Sequence, residues 1–180
     1  YCLEIAEVAK SCGAEVPFMR PQQLASDKST SADAILHAIS YLESNNKIFD
    51  YILLLEPTSP LRDYNDINNS IDFFISKKKA KSCVSIVKSE SSHPSFLFNR
   101  KEDFLNSYSS DDSVIRRQDL SEFYYPEGSI YICEIETYKK TKTFYNDELT
   151  VGYEVPLWKS FEIDTEEDFL IIESLLKNNI

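Results

Sequence analysis

The residues best placed to do chemistry fall in four short segments. Leu55-Glu56-Pro57-Thr58-Ser59-Pro60-Leu61-Arg62 combines two prolines that stiffen the backbone with two hydroxyls and a guanidinium. Directly after an apolar run, it reads as a rigid polar loop at the binding edge of a sheet, or as a plain strand-to-helix connection. Arg20-Pro21, with Leu24, Ala25 and Asp27, precedes Ser31 at a helix start. An arginine and a hydroxyl beside a helix N-terminus can grip the polar groups of a nucleotide; loop and cap chemistry is the other reading. Phe161 to Asp168 contains Glu162 and Asp164, which on a strand point to the same side and could hold Mg²⁺ against phosphates. Asp164 with Glu167 also suits a helix N-cap. Finally, Arg116 and Arg117 stand upstream of the aromatic stretch Tyr124 to Tyr131.

The elements that must position these segments follow from apolar spacing. Ile5, Val8 and Ala9 suggest a short helix closed by Gly13, and Ala14 to Phe18 reads as a strand. Thr30-Ser31-Ala32-Asp33 resembles a helix start with Asp33 as a capping-box acid, after which Ile35, Leu36, Ile39 and Leu42 share a face. Tyr51 to Leu55 is continuously apolar, the mark of a strand covered on both faces, as in a parallel sheet. A helix follows with Ile67, Ile71, Phe74 and Ile75 on its buried stripe, then a strand over Cys83 to Val87. From 89 to 127 the rhythm is lost, which predicts an inserted arm; a strand over Ser129 to Cys133 and a helix over Thr165 to Lys177 restore it. This alternation argues a three-layer α/β fold in one domain over residues 1–180. Ligands of such folds sit beyond the carboxyl ends of the strands, where the segments above fall.

Composition narrows the partners. A net charge of −11 repels nucleic acid and anionic membrane surfaces, so neither is expected to bind. An anionic small molecule needs the few cations gathered locally, and four of the arginines (Arg20, Arg62, Arg116, Arg117) lie in the segments described. With no membrane-length apolar stretch and no secretory pattern, a cytoplasmic location is expected. Cys2, Cys12, Cys83 and Cys133 are widely spaced and read as small buried or half-buried thiols. His93 reads as a loop residue and His37 as core.

Taken in order, the segments resemble the acylneuraminate cytidylyltransferases, which include the CMP-sialic, CMP-legionaminic and CMP-pseudaminic acid synthetases. The family pattern R-P-x-x-L-A-x-D, Q-P-T-S-P-L-R, H-P, R-Q-x-L, N-G-x-I-Y and D-I-D-T-x-x-D is matched by Arg20 to Asp27, Glu56 to Arg62, His93-Pro94, Arg117 to Leu120, Glu127 to Tyr131 and Glu162 to Asp168. The resemblance implies a Rossmann-like nucleotide-diphospho-sugar transferase fold and attack of a nine-carbon acidic sugar on the α-phosphorus of CTP, assisted by Mg²⁺. It implies nucleotide contacts from Arg20 and Ser31, and a sugar site from Glu56, Thr58, Ser59 and Arg62 with Tyr125 and Glu127. Asp164 with Glu162 would bind Mg²⁺. Arg117 would sit on an arm (residues 89–127) that makes a homodimer and reaches the neighbouring sugar site, and Asp164 and Arg117 would be the catalytic pair. The chain departs from the pattern at Glu56 (Gln in the family), Glu127 (Asn), Glu162 (Asp) and Tyr125 (Arg). Family members open with a strand and a loop of the form A-R-x-G-S-K. Here the glycines are Gly13, Gly128 and Gly152, which implies an N-terminally truncated member with little turnover on its own. The alternative is a non-catalytic relic serving as a binding or dimerisation module. The Pro-Thr-Ser-Pro loop argues against the related octulosonate enzymes, which carry Gly-Asp there.

Overall fold

The computed structural model describes residues 2–26, 29–89, 93–108 and 120–178. In chain order these form α1 (Leu3–Ser11), α2 (Ser31–Ser44), β1 (Tyr51–Leu54), α3 (Tyr64–Ser76), β2 (Ser82–Lys88), β3 (Phe98–Lys101), β4 (Phe104–Ser107), β5 (Tyr124–Glu134), α4 (Ile135–Thr141), β6 (Thr150–Glu154) and α5 (Glu166–Lys177). The fold is α/β with a mixed sheet, divided into two units: Tyr1–Asp50 with Ile135–Thr143, and Tyr51–Glu134 with Phe144–Ile180.

In the first unit, α1 closes on Gly13 as its sequence dictates. Gly13 takes φ +90°, and the N–H groups of Gly13 and Ala14 return to the carbonyls of Lys10 and Ala9 at 2.9 and 3.0 Å. α2 opens on the expected capping box: Thr30 Oγ1 accepts from the Asp33 N–H at 3.1 Å, and the Asp33 carboxylate accepts from the Thr30 N–H at 3.2 Å. Ile35 and Ile39 are buried on its apolar face. The strand expected over Ala14 to Phe18 does not form. Side chains hold that segment instead, with the Tyr41 hydroxyl donating to the Pro17 carbonyl at 3.0 Å and the Phe18 ring against Tyr41 and His37 at 4.6 and 5.0 Å. Pro17 has no N–H to give a ladder, so aromatic packing decides its path. α4 is tied to α2 by Lys139, whose ammonium donates to Glu43 at 2.6 Å.

The second unit is built on a sheet of order β1-β5-β2-β6. β5 runs antiparallel to both neighbours, while β2 and β6 are parallel. This corrects the expectation for Tyr51 to Leu55. β1 is an outer strand of this sheet with an antiparallel partner, and Tyr51 is 53% exposed. A continuous apolar run reports partial burial, not strand direction. α3 covers one face, setting Phe74 on Cys83, Ile130 and Ile132, with Leu53, Ile67, Ile71, Val151 and Tyr153 around them. Burying a side chain of that size contributes about 2–3 kcal/mol. Ile75, expected on the same stripe, is 65% exposed; the buried positions of α3 are Asp66, Ser70 and Phe74, a face rotated away from it.

Within the segment read as an arm, β3 and β4 form a separate exposed hairpin, and β5 begins at Tyr124. Tyr124 to Glu127 therefore belong to the main sheet. The β2–β5 register shifts between Val84 and Ile86, opposite Pro126, which cannot donate to a ladder. Ser85 repairs the irregularity from its side chain, its hydroxyl accepting from the Ile130 N–H at 2.8 Å and donating to the Ile130 carbonyl at 3.1 Å. Cys83 and Cys133 are buried; burial pushes the Cys83 thiol up to about 12.

Candidate active site

β1 ends opposite Tyr131, whereas β5 extends to Tyr124. The loop leaving β1 crosses this overhang at Glu127 and Gly128. Its shape is fixed from within: the Ser59 N–H returns to the Glu56 carbonyl at 3.3 Å, and Arg62 Nη1 donates to the carbonyls of Glu56 and Ser59, each at 2.6 Å. Arg62 thus knits the loop together. Burial lowers the pKa of its guanidinium from the ordinary value, opposed by the carboxylates of Glu127 and Glu56.

Two bonds then join this loop to the late acidic segment. The Thr58 carbonyl accepts from the Ile163 N–H at 2.8 Å, and the fully buried Ser59 hydroxyl donates to Glu162 Oε1 at 3.2 Å, across 103 positions of sequence. Gly128 is what lets them meet. It has φ +87°, and a Cβ there would lie 1.7 Å from Glu162 Oε1 and 3.2 Å from Ser59 Oγ, so only hydrogen fits. Residues 161–164 do not form a strand, so Glu162 is aimed by Ser59 rather than by strand alternation.

Electrostatics mark this corner. Burial holds the Glu162 carboxyl above its ordinary value; the Ser59 bond opposes this, and the charges of Asp164, Glu127 and Glu56 add to it. Mutual repulsion of that kind is relieved by a cation. Asp164 is not the helix cap expected from the sequence: Thr165 caps α5, in a box with Asp168, leaving the exposed Asp164 carboxylate outside it. No cluster of three or more His, Cys, Asp or Glu ligands exists among the described residues. Glu162 and Asp164 are the pair that could meet Mg²⁺, which takes one or two protein carboxylates and fills its remaining positions with water and phosphate oxygens.

The other expected residues fall as follows. Glu127 is buried at 2% exposure, with Oε1 accepting from the Ser129 N–H and hydroxyl. Tyr125 pairs with Val87 in β5, is 40% exposed, and takes no part in these contacts. Arg117 lies outside the described residues. Arg20 and Ser31 belong to the first unit. Arg20 lines an apolar hollow of about 270 Å³ with Cys2, Ile5 and Phe18, and Ser31 is the exposed first residue of α2, with Thr30 doing the capping. His93 is buried, caps a short turn by accepting from the Ser95 N–H at Nδ1, and packs on Phe123 at 4.5 Å.

Sequence reasoning missed Lys159. Its ammonium, nearly buried, bonds Asp66 at 2.5 Å and Asp63 at 3.0 Å, clamping the start of α3 to the turn that leads into Glu162. Desolvation works against the charged lysine, but the bonds to Asp66 and Asp63 outweigh it and its pKa is raised. Asp63 and Asp66 show a readable capping pattern; the isolated Lys159 gives no signal, because its partners are more than ninety positions away.

No protein-family model matches the chain. It is 35% identical over 156 residues to an N-acylneuraminate cytidylyltransferase of Streptococcus agalactiae serotype V, covering 84% of this chain and 35% of that protein. A second N-acylneuraminate cytidylyltransferase, from Escherichia coli O18:K1:H7, is 31% identical over 164 residues, covering 90% of this chain and 37% of that protein. Over most of its own length, the chain is thus similar to N-acylneuraminate cytidylyltransferases. A CMP-N,N'-diacetyllegionaminic acid synthase of Legionella pneumophila subsp. pneumophila is 29% identical over 185 residues, 98% of this chain and 75% of that protein. The chain therefore spans about a third of the length of the first two relatives and three-quarters of the third. Within it, the two segments that carry the resemblance most specifically, Glu56 to Arg62 and Glu162 to Asp168, are those joined by Ser59 and Glu162.

Proposed function

We propose that this chain forms the sugar- and metal-binding side of a CTP-dependent cytidylyltransferase that activates a nonulosonic acid of sialic, legionaminic or pseudaminic type. The observation that supports this most directly is the bond from Ser59, in the proline-stiffened loop, to Glu162, in the acidic segment. In this reading the anomeric oxygen of the sugar forms a bond to the α-phosphorus of CTP while the bond to pyrophosphate breaks, giving the CMP-sugar. The protein's work is positioning and charge neutralisation. Thr58, Ser59 and Glu56 frame the sugar with Tyr125 and Glu127, and Arg62 holds the frame's shape. Arg20 and Ser31 contact the nucleotide. Glu162 and Asp164 would hold Mg²⁺, which when bound offsets charge on the phosphates. The homodimer the resemblance implies would bring Arg117 to the neighbouring copy's sugar. We place the protein in the cytoplasm, with a Rossmann-like fold as its scaffold. Among the described residues no helix is long and apolar enough to cross a membrane.

The test is pyrophosphate release from CTP with Mg²⁺ and a panel of nonulosonic acids, on this chain and on an N-terminally extended form. Turnover is expected with at least one sugar, with Asp164→Ala lowering it on the order of a hundredfold or more. Activity that survives Asp164→Ala removes the metal assignment. No turnover in either form leaves the non-catalytic binding module.

A further inference from the structure

Three of the described helices open on a capping box. At α2 and α5 the box is Thr30 with Asp33 and Thr165 with Asp168. At α3 it is Asp63 with Asp66: Asp63 Oδ1 accepts from the Asp66 N–H at 3.1 Å, and Asp66 Oδ2 accepts from the Asp63 N–H at 2.8 Å. A box of that kind is complete in itself and needs no cation. Lys159 nevertheless enters it from 93 positions away, bonding Asp63 Oδ2 and Asp66 Oδ2, and is buried to 8% exposure beside an Asp66 at 7%. Taking both charges out of water costs enough that well-packed apolar residues could hold a helix start as firmly. What the ion pair adds is a defined geometry.

That geometry bears on the site. Asp63 follows Arg62, the last residue of the polar loop, and Lys159 stands three positions before Glu162, in the short turn Leu157–Ser160. Ser59 donates to Glu162 at the other end. Ser59, Asp63, Lys159 and Glu162 thus close a ring of two short chain segments and two side-chain links. Its sides are not equally firm. The loop has its own staple, since Arg62 Nη1 takes the carbonyls of Glu56 and Ser59. Residues 161–164 form no strand, and Glu162 is placed by its bond from Ser59, by the Ile163 N–H on the Thr58 carbonyl and by the anchorage at Lys159.

We infer that Lys159 is a positioning residue for the proposed reaction, holding Glu162 in place against the Ser59 loop through the start of α3. The inference rests on the cytidylyltransferase reading and adds to it a residue that acts only through Glu162. Misplacing a group by about 1 Å beside reacting atoms costs on the order of a hundredfold in rate. The loss therefore falls on the chemical step and on Mg²⁺, while the sugar, framed by a loop that keeps its staple, binds as before.

Two variants test this. Lys159→Met cuts the tie but strands the Asp66 charge; Lys159→Met combined with Asp66→Asn removes both charges and leaves an oxygen for the Asp63 N–H. On the form of the protein that turns over, kcat, the sugar KM and the Mg²⁺ concentration for half-maximal rate are measured. Amide exchange at Ile163 is followed separately, without substrate or metal. Both variants are expected to lower kcat and to raise the half-saturating Mg²⁺ about tenfold or more, with the sugar KM within about twofold. Ile163 is expected to exchange about tenfold faster or more, while the Ile130 N–H, held by Ser85, keeps its protection. In the double variant Tm is expected to recover without the activity. Activity that returns with Tm or never falls, a raised KM at unchanged kcat, or an unchanged Ile163 amide overturns the inference while leaving the cytidylyltransferase reading standing. A parent protein that turns over no sugar overturns both.

Discussion

At the scale of single residues, Glu162 carries the clearest conflict. Its carboxyl is held above the ordinary 4.5, first by burial and then, against the Ser59 bond, by Asp164, Glu127 and Glu56. An acid with a raised folded pKa binds its proton more tightly folded than unfolded. Ionising it therefore costs stability; the cost is absent below 4.5 and complete above the raised value. Glu162→Gln keeps an oxygen for Ser59 and removes the charge. Without divalent metal it is expected to melt higher than the parent at about pH 8, with the gain disappearing at about pH 4. If Glu162 holds Mg²⁺ as proposed, the parent is expected to gain Tm on adding Mg²⁺ and the variant to show a smaller gain. A Tm gain that is independent of pH would show that charge is not the cause.

At the scale of elements, the loop from Glu56 to Arg62 is rigid for two reasons, and only one is proline. Pro57 and Pro60 restrict the backbone, but Arg62 fixes the fold of the loop by taking two of its carbonyls at 2.6 Å. Arg62→Ala leaves those carbonyls and the neighbouring Glu127 without their cation. A loss of about 2–3 kcal/mol in urea unfolding is expected, together with a raised KM for the sugar. If the variant is as stable as the parent and only KM changes, Arg62 is a ligand contact and not the loop's staple. The caps at Thr30 and Thr165 show the same local logic, each a side chain satisfying an otherwise orphaned N–H at a helix start.

At the scale of the whole second unit, stability and the site depend on one buried ion cluster. Lys159 joins the turn before Glu162 to the N-terminus of α3, over 93 positions from Asp66. The only tryptophan, Trp158, lies beside it, 5.2 Å from the lysine nitrogen. Lys159→Met strands Asp66 in a buried position. Unfolding followed by Trp158 fluorescence is expected to show a loss of about 3 kcal/mol, since one partner of a buried pair then remains charged. The raised pKa of Lys159 makes its contribution complete below the ordinary 10.5 and lost as pH climbs through the raised value, while the lowered pKa of Asp63 makes that acid's contribution fade as pH falls. A wild-type midpoint that does not fall in strongly alkaline solution would contradict this.

The amino-acid sequence alone determined what depends on neighbours along the chain. The helix stop at Gly13, the capping box at Thr30 and Asp33, the helix over Glu166 to Lys177 and the polar loop after β1 are set by side chains within a few positions of each other. The motif order also carried the resemblance, because the segments around Arg20, Arg62 and Asp164 follow one another as in the family pattern. Only the tertiary structure decided which strands are neighbours, that Arg62 turns inward, that Gly128 makes room for Glu162, and that Lys159 clamps α3. Those outcomes turn on contacts between residues dozens of positions apart. A periodic pattern reports how deeply a segment is buried, and carries no record of what buries it.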